Sequence, residues 1–293
     1  MRGLLMLAVA LSVAPPNPAF AGNKPPTALA RVGKWEVIYD RDSCHLFGKF
    51  GQGADGIIAA FTRYTPGDGF DLTLYGSALK SAEVGPPVEI TFGTQTPTKM
   101  RALAGTTEKK LPLLLLHGLQ LNGAPSPTDF KPSNDNLSIS AEQEEAIRSI
   151  SIKLPKARYY QFDTGSMGPP MAAMRACTTD LIKNWGYDPA VQASLKQPAA
   201  PLNAPSKWLT TGDFPQKAIM GGESGVVQVR IDVAETGAIS GCHILHRTNP
   251  DQFADLSCKL ITQRAKIQPA IDAAGKPVRS FYVTKILWLA AGN

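Results

Sequence analysis

The sequence lacks an apolar run long enough to cross a bilayer. Its N-terminal stretch from Gly3 to Val13 falls well short of the about 20 apolar residues that a spanning helix needs at ~1.5 Å rise per residue. It also lacks a basic cluster. The net charge of +6 is spread over a chain in which only 18% of residues are charged, whereas phosphate recognition needs Lys and Arg gathered on one face. Nucleic acid is therefore not an expected partner, and no cofactor is expected.

Three chemical signatures are present only in part. Asp163-Thr164-Gly165-Ser166 carries the Asp-Thr-Gly-Ser sequence of aspartic proteases, but that chemistry needs two carboxylates sharing one proton, and a single copy stands here. Pro169-Pro170 and a helical stretch follow at once. An aspartic-type peptidase using Asp163 is kept as the alternative function, against the plainer role of Asp163 or Ser166 in capping the next helix. Gly222-Glu223-Ser224-Gly225 is followed by Val226, where a nucleophile elbow needs glycine. Cys242, His243, His246 and Cys258 are zinc-ligand types, yet on one strand His243 and His246 would project to opposite faces. No metal is expected.

What is present begins with a leader. Met1-Arg2 is positive, Gly3 to Val13 is apolar, Pro15, Pro16 and Pro18 stop a helix, and Ala19-Phe20-Ala21 fits the small-x-small cleavage rule. Residues 1–21 are read as a signal peptide cleaved after Ala21, which places the chain in the periplasm; an uncleaved tether to the membrane is the alternative. Four cysteines in an exported chain point to disulfides rather than redox chemistry. Pairing within each half predicts Cys44–Cys177 and Cys242–Cys258. The second closes a loop of 16 residues (258 minus 242), worth ~3 kcal/mol in the chain-entropy account.

Residues 197–205 (QPAAPLNAP) lack periodicity and read as an extended linker, dividing residues 22–196 from 206–293. Before it, Trp35–Asp40, Cys44–Phe50, Gly56–Tyr64, Phe70–Leu79 and Val88–Phe92 are β-branched or aromatic runs between turn clusters. They predict an antiparallel sheet, with Leu111–Leu121 as a further strand. Ser140 with Gln143 predicts a capped helix, and a second helix is expected over Pro169–Trp185. Its Met171, Ala172, Met174, Ala176, Leu181 and Ile182 recur at helical spacing and read as core. His117 reads as a strand end, and His45 as a neighbour of Cys44 without a partner.

After the linker, Phe214-Pro215 leads into a short amphipathic turn to Met220. In Val226–Val233 the residues Val227, Val229, Ile231 and Val233 alternate with Gln228, Arg230 and Asp232, so one face is expected in the core and one in water. Ala238–Arg247 reads as the antiparallel partner. Asn249-Pro250-Asp251 should cap a helix to about Ala265 with Pro250 at its first position, and Val278–Leu289 is a long closing strand. The fold class is α+β: a mainly antiparallel β domain with two helices, then a small α-β-β-α-β domain.

The order of these last elements, with Phe214-Pro215, Gly225-Val226, Gly237 after Asp232, Pro269-Ala270 and Gly275 before Pro277, resembles the C-terminal periplasmic domain of the TonB energy-transducer family. The resemblance covers about the last ninety residues; His246-Arg247-Thr248-Asn249 stands where the family has a Ser-Ser-Gly-like turn, and Phe214 where it has Tyr. It implies a non-enzymatic binding module whose partners are outer-membrane TonB-dependent-type receptors or other envelope proteins. It also implies that a receptor segment adds as a strand to the edge formed by Arg279–Trp288, with Arg279, Phe281, Tyr282, Val283, Thr284, Ile286 and Trp288 as contact residues. With neither a spanning anchor nor a long Pro-rich spacer in view, the expectation is a soluble or peripherally held module rather than a force-transmitting one.

Overall fold

The computed structural model describes residues 25–79, 87–123, 139–155, 158–248 and 250–290; the expected leader and Asn249 lie outside them. The protein is mixed α and β with strands predominating, and five α-helices occur among the described residues. Ten strands form the first sheet: β1 (Thr27–Tyr39), β2 (Cys44–Phe50), β3 (Ile57–Arg63), β4 (Phe70–Tyr75), β5 (Val88–Phe92), β6 (Thr98–Met100), β7 (Leu103–Thr106), β8 (Pro112–Leu119), β9 (Ser149–Leu154) and β10 (Arg158–Asp163). Their spatial order is β6-β5-β9-β10-β1-β2-β3-β4-β8-β7.

The sheet folds over because β1 serves two ladders. Thr27–Ala30 pairs with β10, and Arg31–Tyr39 pairs with β2 across an irregularity between Val32 and Glu36. That break sits at Gly33, whose φ of +80° is unfavourable for other residues. The β1–β10 pairing is parallel, which corrects the expectation of an antiparallel sheet in one of its ladders; the rest are antiparallel. Phe70 on β4 meets Phe92 on β5 at 5.8 Å, and Phe50 on β2 meets Phe162 on β10 at 5.0 Å, so the two half-sheets close over one core. Trp35 lies across β2 so closely that a Cβ on Gly48 would stand 2.5 Å from its ring.

Helix α1 (Ala141–Ala146) begins with the expected capping box, Ser140 Oγ accepting from Gln143 N–H and Gln143 Oε1 from Ser140 N–H. Helix α2 (Gly168–Asn184) inserts Met171, Met174, Cys177 and Leu181 into the first core, whereas Ala172 and Ala176 are exposed, correcting the width of the expected stripe. Cys44–Cys177 ties this helix to β2. A third short helix, α3 (Pro189–Ala193), was not expected; Asp188 caps it by accepting from Ala190 N–H at 2.8 Å.

The second core gathers around β12 (Gly225–Val233), the middle strand of a three-stranded antiparallel sheet with β13 (Ile239–Arg247) and β17 (Ser280–Trp288) at its sides. Val227, Val229, Ile231 and Val233 point inward, as their alternation dictates. Helix α5 (Gln252–Arg264) covers them with Phe253, Ala254, Leu260 and Ile261, one face at helical spacing, and Cys242–Cys258 staples it to β13. Its N-cap position is Asp251, which makes no cap bond and instead accepts from Arg247 Nε at 2.7 Å; Pro250 is therefore not the first helical residue. Short α4 (Gln216–Met220) precedes β12.

The long closing strand is broken at Arg279. Pro277–Val278 (β16) pairs with Ala270–Ile271 (β15), and only from Ser280 does β17 run beside β12. Residues 197–205 are extended and held down: Ala200–Pro201 (β11) pairs with Ile267–Gln268 (β14), and Leu202 N–H donates to Lys266 O at 2.7 Å.

The main correction concerns the other face of β12. Gln228, Arg230 and Asp232, expected in water, are 6%, 7% and 9% exposed. The N-terminal region covers them: Tyr187 Oη donates to Asp232 Oδ1 at 2.8 Å, and the Arg230 guanidinium stacks 4.5 Å from the Trp185 ring. A polar face needs hydrogen bonds, and a neighbouring protein surface supplies them as well as water does.

Candidate functional site

The outer edge of β17 is one of the two edges of this sheet, β13 forming the other. Its residues are β-branched or aromatic at most positions, and alternate side chains anchor it to the second core. Trp288 stacks on Phe253 at 4.9 Å and donates through Nε1 to Ser257 Oγ at 3.0 Å. Tyr282 meets Trp208 edge-on at 6.2 Å, and Ile286 packs against the same cluster.

The hydrogen-bonding direction follows from the register. Val226 turns its main-chain groups away from β17, because its carbonyl accepts from Thr248 N–H at 3.0 Å. Gly225, Val227, Val229, Ile231 and Val233 therefore face β17, and their partners are Trp288, Ile286, Thr284, Tyr282 and Ser280. Phe281, Val283, Lys285 and Leu287 consequently aim their N–H and C=O groups outward, and among the described residues these groups have no partner. Arg279 O, also outward, accepts from Gln192 Nε2 at 3.2 Å.

This sorts the residues that the sequence grouped as contacts. Tyr282, Ile286 and Trp288 turn side chains into the core and, with Thr284, main-chain groups to β12, so they support the edge. Phe281 and Val283 present the edge itself. The Phe281 ring is held 5.4 Å from Trp185 and 5.0 Å from Tyr187, and the Arg279 guanidinium lies 4.5 Å over Tyr187.

Lys285 and Leu287 belong to the edge by the same alternation, and the sequence reading left both out of the contact set. Lys285 Nζ reaches across to the first sheet, 2.7 and 2.6 Å from the two Asp71 oxygens on β4 and 2.7 Å from His117 Nδ1 on β8. Asp71 also accepts from Gly118 N–H at 3.0 Å. Burial would raise the Asp71 carboxyl, but the bond from His117 and the charge of Lys285 outweigh it and hold it at about 2. Burial lowers Lys285, opposed by Asp71. At 2.6 Å Lys285 and Asp71 form an ion clasp between the two sheets. The signal was available: Asp71 and Lys285 are lone, opposite charges inside apolar strands, FDLTLY and SFYVTKILW.

A second polar node supports the same junction. Asp232 accepts from Tyr187 Oη, from Arg230 Nε at 2.9 Å and pairs with His243 Nε2 at 2.8 Å; burial would raise its pKa, and these partners lower it. His45 has partners after all, Ser43 Oγ at 2.8 Å and Thr62 Oγ1 at 3.0 Å.

The remaining sequence candidates are placed apart. Asp163 ends β10 in an exposed turn, where Oδ1 accepts from Gly165 N–H at 3.2 Å, while Thr164 O accepts from Arg31 and Trp35. Ser166 Oγ accepts weakly from Gly168 N–H at 3.4 Å, the first residue of α2. Both sulfurs of Cys242 and Cys258 are consumed in the disulfide, and no group of three or more His, Cys, Asp or Glu among the described residues is arranged to hold a metal. No helix among them is long and apolar enough to cross a membrane.

Residues 212–288 match the family model of the Gram-negative bacterial TonB protein C-terminal. The match begins just before α4 and ends at Trp288, so it takes in all three strands of the second sheet and leaves the first sheet outside. No curated protein and no solved structure matches the chain.

Proposed function

We propose that the protein, whose residues 212–288 match the TonB C-terminal family model, is a periplasmic binding module of envelope transport that takes an extended segment of an outer-membrane receptor as a fourth strand on β17. The observation that carries this reading is the outward row of main-chain groups at Phe281, Val283, Lys285 and Leu287. An edge of this kind gains main-chain hydrogen bonds from any extended peptide of matching register. The first sheet, with Trp185 and Tyr187 just past α2, acts with the second sheet as its fixed support, because these groups cover the face that an isolated C-terminal domain would leave in water. The chain works as a binding partner rather than a catalyst, and its site in the cell is the periplasm after loss of residues 1–21.

The test is amide hydrogen exchange on the whole oxidised chain, with and without extended peptides from the N-termini of outer-membrane transporters. Slowing confined to the N–H groups of Phe281, Val283, Lys285 and Leu287 is the expected result. Val283→Pro removes one donor from the edge without touching the core, and should weaken peptide binding about tenfold, or 1.4 kcal/mol. Protection of β17 that grows with protein concentration and ignores peptide would mean that the edge pairs with a second copy, and would defeat the proposal.

A further inference from the structure

Beside the first half of the β17 edge lies a groove of about 660 Å³. We infer that it is a socket for an uncharged, bulky apolar side chain of the segment that adds to β17; the inference rests on strand addition as proposed above and specifies the partner's chemistry. Phe281, Tyr282 and Val283 line one wall. They project to both faces of the strand, so the groove follows the edge instead of lying on one face. The rest of the lining includes Ala193, Leu195, Ala199 of the held-down stretch and Pro66 of the β3–β4 turn.

The lining decides what the socket accepts. It contains no Asp, Glu, Lys, Arg or His. Its polar side chains at the end wall are already committed to one another and to the main chain, Ser280 Oγ donating to Gln192 Oε1 at 2.6 Å and Gln192 Nε2 to Arg279 O. A charged side chain placed here would lose water and find no opposite charge, which is unfavourable. An aliphatic or aromatic side chain loses nothing and buries its surface. The occupant must also be an extended main chain, because Phe281 and Val283, whose N–H and C=O groups point away from β12, are among the residues that line the socket.

Only Ser280–Val283 of the lining fall inside residues 212–288; the other walls come from α2, α3, the 198–201 stretch and the β3–β4 turn. The region outside the family match therefore chooses the partner's side chain, while the matched region supplies the backbone edge.

The experiment uses the whole oxidised chain and a set of dye-labelled extended peptides of about eight residues, long enough to run beside β17. They differ at one position, carrying Leu, Phe, Ala or Asp, and that position is moved along the peptide. At one register Leu and Phe should bind about tenfold tighter than Ala, and Asp should abolish binding. Ala193→Trp, which fills the socket from exposed α3, should bring the Leu and Ala peptides within about twofold of each other. Under excess peptide it should leave the β17 amides protected. Protection of β17 with no side-chain preference, or a preference that Ala193→Trp leaves intact, overturns the socket and spares strand addition. Binding of the Leu peptide without protection of β17 overturns both, as does failure of every peptide to bind.

Discussion

The two sheets solve the same problem in opposite ways. The first closes on itself: β1 is shared between two half-sheets, Phe70 meets Phe92 across the core, and α2 fills what remains. Among the described residues the second has three strands and one long helix, so α5 covers one face and the other is left to be covered by the first sheet and by Trp185 and Tyr187 just past α2. The difference shows in the chemistry of the covering. The inward face of β12 is Val227, Val229, Ile231 and Val233, which need only shape. The outward face is Gln228, Arg230 and Asp232, which need named partners: at the junction Tyr187 donates to Asp232 and Trp185 stacks on Arg230, while Gln228 Nε2 donates within its own sheet to Thr284 O at 3.1 Å. A sheet too small to bury both its faces alone borrows a surface, and the edge strand β17 becomes a joint between the two regions as well as an open edge.

The largest effect should separate the two regions by their staples. Cys44→Ala with Cys177→Ala releases a loop of 133 residues and should cost about 5 kcal/mol in chain-entropy terms; Cys242→Ala with Cys258→Ala releases 16 residues and should cost about 3. Urea unfolding of both double variants under oxidising conditions checks the order, and a larger loss from the second pair would mean that the second core depends on its staple more than the first does.

Next is the clasp. Lys285→Met strands Asp71 in a partly buried site and should cost about 2 kcal/mol, below the range for a fully buried pair because both side chains retain some water. Adding Asp71→Asn should return part of the loss, and a double-mutant cycle measures the coupling. If the two losses simply add, the sheets are not joined there.

The same clasp has a pH signature. Asp71 is held at about 2 in the fold against 3.8 as a free side chain, so its contribution is full above 3.8 and is lost as pH falls through 2. The loss amounts to about 2 kcal/mol. Unfolding free energy measured from pH 5 downward should fall less steeply in Asp71→Asn than in the parent; parallel curves would place the acid sensitivity elsewhere.

The smallest effect is expected at Asp163. Asp163→Asn changes an exposed turn and should alter stability by no more than about 0.5 kcal/mol and leave peptide binding unchanged. A measurable peptidase activity in the parent that this variant abolishes would revive the aspartic chemistry.

Much of the fold was legible because it is written in local chemistry. The capping box at Ser140 and Gln143, the span of β2 and β5, and the apolar face of β12 each depend on neighbours within a few residues. The disulfide pairing came from compartment and chain order. Other features were readable and missed: Ser149–Leu154 alternates Ile150, Ile152 and Leu154 as plainly as any strand in the chain. The first half of β1 carried no such signal, since only Leu29 of Thr27–Gly33 is buried and its strand character comes from pairing with β10.

The sequence by itself determined which residues of β12 enter a core, because a period of two separates apolar from polar there without reference to anything distant; in β17 both alternate sets are mostly apolar, so the period named no inward face. It did not determine what the polar set faces. Gln228, Arg230 and Asp232 would alternate in the same way beside water or beside another protein surface, since both satisfy hydrogen bonds and charge. Only the tertiary structure decided that Tyr187, Trp185, Asp71 and His117, all far away in the chain, stand there, and that the groove beside Val283 is walled by residues from outside the matched domain. That choice lies in long-range packing, which no local pattern encodes.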